Sequence, residues 1–356
     1  MAKMKRYPIL FLLFISTTVF FHNYESLSSK VQSFFSQGNF GAAMVFAEQA
    51  AVQAEKEFGN TDTMYAKALN NLAMIYQRRL RYLDAERTFL KTLKIKEKAA
   101  GAVNFSYATT LVNLADLYKF RKNYVKAIEY YQLAANIDKQ VTGENSEMYA
   151  SDLANIGRVY YFLEEVPKAI NYLTKSLEIR EKITGKDNAQ YAINQVYLAD
   201  VIALAGDFAR ADSFYKSGLR ILSYKVGTVH PIFLGALKQL SVLYRDKGEI
   251  KIADSLIFNG LSIIEPRYTR KSTLFFDFLS DLSELKILQG DLVKAEEYAV
   301  EVYQGRKELL DSLHPDINRA ALQVAKIFFK QDRFKEASIM LAEFFGRCLD
   351  IRQLIY

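Results

Sequence analysis

The chain has 356 residues, half of them hydrophobic, with only five prolines and sixteen glycines. So few turn-forming residues in so long a chain disfavour a fold of many short strands. Its net charge is +7. Three cations near the N-terminus contribute three of these charges, so the rest of the chain carries +4. No run of lysine or arginine resembles those that follow a phosphate backbone, so we expect no nucleic-acid partner. One cysteine, Cys348, cannot form an internal disulfide.

The first 25 residues differ from the rest and are predicted to be a signal peptide or membrane anchor. Lys3, Lys5 and Arg6 precede an apolar run from Tyr7 to Phe21, which is the pattern of a secretory signal. The run is shorter than the ~20 residues that span a bilayer, although an uncleaved anchor stays open. We therefore expect export to the periplasm or the extracellular space, with membrane contact only through this segment if it is uncleaved.

An alanine then recurs every 42 residues along the whole chain. A glycine keeps the same period through the first two thirds of it. A fixed period of this length is typical of stacked supersecondary units. The two series are Ala43, Ala85, Ala127, Ala169, Ala211, Ala253, Ala295 and Ala337, and Gly59, Gly101, Gly143, Gly185 and Gly227.

Each period contains two amphipathic helical patterns, as residues 60–101 show. Tyr65, Leu69 and Leu72 recur three or four residues apart and predict one helix, and Ala85 and Phe89 begin the second pattern. Residues 78–81 form the predicted turn between them. A second small residue recurs in the first helix, which predicts close helix packing. That series is Ala73, Ala115, Gly157, Ala199, Ser241, Ser283 and Ala325.

Segments such as NNLAMIYQRRLRYLDAERTFLKTLKI and VNLADLYKFRKNYVKAIEYYQLAANI resemble tetratricopeptide repeats. The 42-residue length, the Asn-Leu-Ala triplet and the glycine after the second helix resemble the longer subtype of kinesin light chains and many bacterial proteins. This resemblance covers residues 26–353 and leaves 354–356 as a tail. It implies an all-α fold, an α-solenoid or right-handed superhelix of about eight helix–turn–helix units, whose first helices line the concave face.

The residues give little sign of catalysis, and we predict no enzyme, no catalytic residues, no metal site and no cofactor. His230 and His314 each precede a proline and occupy the repeat position that elsewhere holds a helix N-cap residue. A zinc site would need more converging ligands than scattered histidines and one cysteine supply. The equivalent cap residues are Asp62, Asn104, Ser146, Asn188 and Ser272.

Polar side chains on the groove side of the first helices are candidates for binding a peptide. Asparagine recurs at one position as Asn71, Asn113 and Asn155. An amide both donates and accepts hydrogen bonds, so a ladder of amides suits an extended peptide backbone of any sequence. The resemblance implies the same contact; the alternative is that these amides bond neighbouring helices. The full predicted set is Asn71, Asn113, Asn155, Arg78, Lys119, Arg158, Tyr161 and Arg245.

The predicted function is a non-enzymatic scaffold that binds a peptide or protein segment in the concave groove. The alternative is a sensor or regulatory arm of a larger bacterial signalling assembly, acting through its C-terminal end or by self-association. The apolar ending LDIRQLIY supports this alternative because a solenoid normally ends in a polar cap. The cationic clamp of chaperone-binding tetratricopeptide domains is not expected, because its positions hold Asn70, Met74, Asn113, Ser151 and Asn155.

Overall fold

The structure, a computed structural model, describes residues 23–268, 270, 272–310, 312 and 314–355, and omits the side chains of 347–355. Most of the predicted signal segment and the apolar side chains of the C-terminal tail therefore lie outside the described residues. Within those ranges, no helix is both long enough and apolar enough to cross a bilayer.

The described residues form sixteen α-helices and no strand. Helix α1 begins at Tyr24, two residues before the predicted start of the repeat array, and the predicted turn at 78–81 separates α3 from α4. The helices are α1 (Tyr24–Ser36), α2 (Phe40–Phe58), α3 (Thr63–Arg78), α4 (Tyr82–Ala100), α5 (Phe105–Phe120), α6 (Tyr124–Thr142), α7 (Glu147–Phe162), α8 (Val166–Thr184), α9 (Ala189–Leu204), α10 (Phe208–Lys225), α11 (Pro231–Asp246), α12 (Ile250–Tyr268), α13 (Thr273–Gln289), α14 (Leu292–Leu309), α15 (Pro315–Lys330) and α16 (Phe334–Ile355).

Side chains of Asp, Asn and Ser cap the first helices, as predicted from their repeat position. The two histidines do the same: Nδ1 of His230 accepts from the Ile232 amide at 3.2 Å. Nδ1 of His314 accepts from the Asp316 amide, also at 3.2 Å. The structural interpretation of both histidines is confirmed.

The turn between the two helices of each repeat contains one residue with positive φ. Glycine occupies this position in four repeats, including Gly206 and Gly290. The other four repeats place a side chain there, at Leu80, Lys122, Glu164 and Asp332, with φ between 57° and 60°. The left-handed region costs such residues about 1–2 kcal/mol, so the packed helices fix this turn.

Cα packing divides the chain into two units, one up to Ala99 and the other from Ala100. In the first unit the apolar core joins α1 to α4 and includes Leu27 and Ile75. The second unit contains α5 to α16, and each helix packs against the next one in the chain. Its largest apolar cluster extends from Ala154 to Ile327.

The two series of small residues meet where the helices of one repeat cross. The hydroxyl of Ser241 donates to the carbonyl of Ala253 at 3.0 Å. Ser283 donates to the carbonyl of Ala295 at 2.8 Å in the same way. Larger side chains at these positions would separate the backbones, which explains why both series are restricted to small residues.

Candidate functional site

The first helices of successive repeats contact one another in the second unit and form a shared face. Helix α7 contacts α9, α9 contacts α11, and α11 contacts α13. Side chains at equivalent repeat positions therefore lie beside one another on this face. At the position of the predicted asparagines, the second unit has Asn113, Asn155, Tyr197, Gln239, Asp281 and Gln323.

A cavity of about 200 Å³ opens on this face between α7, α9 and α11. It combines polar, aromatic and aliphatic side chains from three repeats. We call the surface around this cavity, where α7, α9 and α11 lie side by side, the open face. Its lining residues are Arg158, Tyr161, Phe162, Leu173, Tyr197, Asp200 and Gln239.

Arg158 is held at the cavity by an aromatic ring rather than by a carboxylate. Its guanidinium carbon lies 4.2 Å from the centroid of the Tyr197 ring. No carboxylate oxygen of the described residues lies within 4 Å of it, and Arg158 remains half-buried. The guanidinium thus keeps its N–H donors available while the ring fixes its position.

Asp200 is the acidic group of the cavity, and a tyrosine holds its carboxylate. The hydroxyl of Tyr215 donates a hydrogen bond to Asp200 Oδ1. Burial raises the pKa of Asp200 to about 6, although the Tyr215 bond and the charge of Arg158 both lower it. Asp200 is therefore ionised at neutral pH and becomes neutral in mildly acidic solution.

Two further groups of the cavity have unused hydrogen-bonding capacity. The hydroxyl of Tyr161 and the amide of Gln239 have no hydrogen-bond partner among the described residues. Burial raises the pKa of Tyr161, and the charges of Asp200 and Asp246 add to this effect. Tyr161 therefore stays protonated and can donate.

The neighbouring part of the same face is closed by bonds between its own side chains. Nζ of Lys238 lies 3.3 Å from a carboxylate oxygen of Asp281. Arg245 pairs with Glu284 at 3.3 Å, and the hydroxyl of Ser280 hydrogen-bonds to Gln323 at 2.7 Å. These bonds join α11 to α13 and α13 to α15, and we call this region the paired face.

The structure therefore separates the predicted cations from one another. Arg158 and Tyr161 line the cavity together. Arg245 belongs to the paired face, where it also contacts Asp246 at 2.9 Å. Lys119 bonds to Asp116 and lies 3.0 Å from the hydroxyl of Tyr131. Of the predicted cations in the second unit, only Arg158 is without a carboxylate partner.

The predicted asparagines do not line the cavity. Asn113 on α5 and Asn155 on α7 are half-buried and belong to the second unit. Asn71, also half-buried, and Arg78, exposed at the end of α3, belong to the first unit. Their role in binding stays a prediction.

Models of the tetratricopeptide repeat match this chain over residues 66–105, 106–182 and 153–223. These ranges contain the helix pairs and the small-residue positions described above. Residues 66–223 are tetratricopeptide repeats. The predicted all-α solenoid of helix–turn–helix tetratricopeptide units is thereby confirmed.

Solved structures agree with this assignment. The tetratricopeptide array is similar to BtubC (BKLC) of P. vanneervenii, with 27% identity and a TM-score of 0.50, over 58% of this chain and 82% of that one. The apo quorum sensor NprR of B. thuringiensis has 14% identity and a TM-score of 0.62, over 91% and 88% of the two chains. A Rap protein complexed with competence and sporulation factor has 12% identity and a TM-score of 0.58, over 93% and 99%. A search of curated protein sequences finds no match.

Five of the seven cavity residues were missing from the predicted set: Phe162, Leu173, Tyr197, Asp200 and Gln239. The repeat period itself contains the signal for the last three. Tyr197 and Gln239 are the equivalents of Asn155 one and two repeats later, and Asp200 is the equivalent of Arg158. Because the prediction followed one residue type along the tetratricopeptide repeats, it overlooked the same position when the residue type changed.

Proposed function

We propose that this chain is a non-catalytic interaction protein that holds a peptide segment of a partner on the open face. The observation that carries this proposal is the cavity at Arg158, Tyr161 and Gln239, whose polar groups have hydrogen-bonding capacity left for a ligand. The paired face offers less, because its cations are already bound to carboxylates.

The chemistry of the cavity suits a peptide. A guanidinium binds a carboxylate or a carbonyl through several N–H groups, and an amide such as Gln239 can pair with a backbone amide. Tyr197 and Phe162 add apolar surface on which an aliphatic or aromatic side chain can pack. Recognition of one peptide residue and its backbone would use all of these groups at once.

We propose no reaction at this site. The cavity contains one acid and one guanidinium, without a nucleophile paired to a base. In the described ranges, no three side chains of the types that bind metals come together as a metal site. A peptide bound here would be released unchanged.

The test is capture of partners by the full chain from extracts of its source cells, with proteins identified by mass spectrometry. Arg158→Ala should reduce capture of a specific partner about tenfold or more, because hydrogen bonds to charged groups contribute about 1.5–3 kcal/mol. Arg210→Ala is the matched control, because that arginine also lies over a ring, Phe214, but on second helix α10. Equal capture by wild type and Arg158→Ala would refute the open face as the site.

The predicted asparagines need a separate test because they lie outside the cavity. Replacing Asn71, Asn113 and Asn155 together by alanine should weaken capture while the helical content stays unchanged, if an amide ladder continues the site beyond α7. Undiminished capture by the folded triple variant would confine the site to the open face.

A second candidate function is self-association through α16, in line with the predicted regulatory arm. Phe345 on α16 is 60% exposed, whereas its equivalents Tyr303, Leu261 and Leu219 are 8–9% exposed. In those repeats this position is buried in the apolar cluster of the second unit. A second copy of the chain would cover Phe345 in the same way, so Phe345→Asp should dissociate any oligomer seen by light scattering. An unchanged mass would refute this contact.

We also propose that the chain is exported, on the basis of the basic and apolar pattern before residue 25. Fractionation of cells that express the full chain should place it outside the cytoplasm. Replacing Lys3, Lys5 and Arg6 by glutamate should retain it inside. Recovery of both forms in the cytoplasm would refute export.

A further inference from the structure

Two aspartates lie against each other in the interior of the second unit. Asp138 on α6 is 4% exposed and Asp152 on α7 is 2% exposed. Each carboxyl group is close enough to the other for hydrogen bonding to shift the pKa values of both. Asp138 Oδ1 and Asp152 Oδ2 are buried and have no hydrogen-bond partner among the described residues. Two acids in this arrangement form a bond only if one of them keeps its proton.

The other repeats show that the fold does not require acids at these positions. One repeat later, Arg180 pairs with Glu147 at 2.9 Å, and Asn194 occupies the place of Asp152. Two repeats later the pair is Leu222 and Ala236, both buried. The same helix junction therefore packs without two carboxyl groups. The aspartate pair is a departure from the repeat that packing alone does not explain.

Among the described residues, no cation pairs with either aspartate. On α5, Asp116 accepts from Tyr131 at 2.6 Å, and Lys119 binds Asp116. On α7, Glu147 binds Arg180 of α8, and Arg158 lies on Tyr197. None of these bonds reaches Asp138 or Asp152, so no cation compensates a second negative charge there.

We propose that Asp138 and Asp152 share one proton that holds α6 against α7, and that loss of this proton loosens the junction. In the protonated state Asp152 donates to the Asp138 carboxylate. In the deprotonated state two buried carboxylates repel each other, and their separation requires α6 and α7 to move apart or to admit water. Helix α7 also carries Arg158, so this device would make the open face sensitive to pH.

The direction of the pH effect follows from burial. Burial, followed by the charge and hydrogen bond of Asp138, raises the pKa of Asp152 to about 8, whereas an aspartate in an unfolded chain titrates near ~4. Stability from this proton is thus present in full in acidic solution. It is lost as the pH rises through about 8.

The experiment compares the full-length wild type with Asp152→Asn at pH 6 and pH 9. The side-chain amide of asparagine can still donate a hydrogen bond to Asp138, but it has no proton that is lost in this pH range. Asparagine also occurs naturally at the equivalent position one repeat later, as Asn194. Amide hydrogen exchange, corrected for the intrinsic effect of pH, should become at least about tenfold faster in α6 and α7 of the wild type between these values. In Asp152→Asn it should stay constant.

Two further variants complete the test. Asp138→Leu with Asp152→Ala copies the apolar pair Leu222 and Ala236, and should also abolish the pH effect. Glu129→Gln removes an exposed carboxylate of α6 and should leave the wild-type effect intact. An infrared band of a protonated carboxylic acid at pH 7 should be present in the wild type and absent from Asp152→Asn.

The proposal is overturned if corrected exchange in α6 and α7 of the wild type is the same at both pH values, or if Asp152→Asn retains the acceleration. Absence of the protonated-acid band at pH 7 would overturn it as well. These outcomes do not depend on peptide binding, so they leave the proposed function to be judged by its own capture experiment.

Discussion

The open face and the paired face are built from the same first-helix positions, yet their polar groups are used differently. On the open face, Arg158 lies on a tyrosine ring beside a cavity. On the paired face, Arg245 and Lys238 bind carboxylates of the next first helix. Repetition of the backbone therefore does not repeat the chemistry. Within one repeat array, some repeats can leave polar groups available for a partner, while neighbouring repeats use theirs to hold the helices together.

The largest expected effect concerns the packing of α12 against α13, one of the first helices of the paired face. A Cβ added at Gly260 on α12 would lie 2.0 Å from the ring of buried Phe278. Gly260→Ala should therefore lower the free energy of unfolding by about 2–3 kcal/mol through overpacking. Gly235→Ala is the control, because nothing lies within 4 Å of that position. Thermal unfolding measures both, and equal melting temperatures would contradict the packing at Phe278.

A smaller effect is expected from Asp200, the acid of the open face, because its contribution to stability should depend on pH differently from that of a surface carboxylate. Because the pKa of Asp200 is raised to about 6, its contribution to stability is greatest below about pH 4 and is lost as the pH rises through about 6. In urea denaturation, the stability difference between wild type and Asp200→Asn should change by about 1–2 kcal/mol between pH 4 and pH 7. The Asp138–Asp152 pair is common to both proteins and cancels. A difference that is constant with pH would show that Asp200 is well solvated.

Removal of the arginine from each face should have opposite consequences. Arg245→Ala loses ion pairs with the partly exposed Glu284 and Asp246, so it should cost stability of about 1 kcal/mol or less and leave partner capture unchanged. Arg158→Ala should reduce capture with little effect on the melting temperature. If Arg245→Ala reduced capture as much as Arg158→Ala does, the distinction between the two faces would be wrong.

The smallest expected effect is in the turns. Glu164 lies in the turn between α7 and α8 with φ of 58°, where later repeats have glycine at Gly206 and Gly248. Glu164→Gly should raise stability by up to about 1 kcal/mol by relieving left-handed strain. Gly206→Ala should lower it by a similar amount, and chemical denaturation of both variants measures the pair. A loss of stability in Glu164→Gly would mean that the flexibility of glycine outweighs the strain.

Much of the fold was predictable because the repeat imposes the same requirement many times. The alanine series gives the helix crossings, and Asp62, Ser146 and the two histidines mark helix starts. Each of these effects is local, and it depends on residues adjacent in the sequence or one helix away. The site was less predictable: Arg158 and Tyr161 were identified, whereas Tyr197, Asp200 and Gln239 were overlooked.

The sequence by itself determined the period, the two-helix unit, the capping residues and the positions that must be small. Each of these depends on backbone geometry that every repeat shares. Only the tertiary structure decided which polar groups are bound and which are available. The partner of Arg245 lies 39 positions away on the next first helix, and the proton of Asp152 depends on a carboxyl group of the preceding helix. Such pairings depend on which side chains meet across helices and how far burial excludes water, and composition and period do not contain that information.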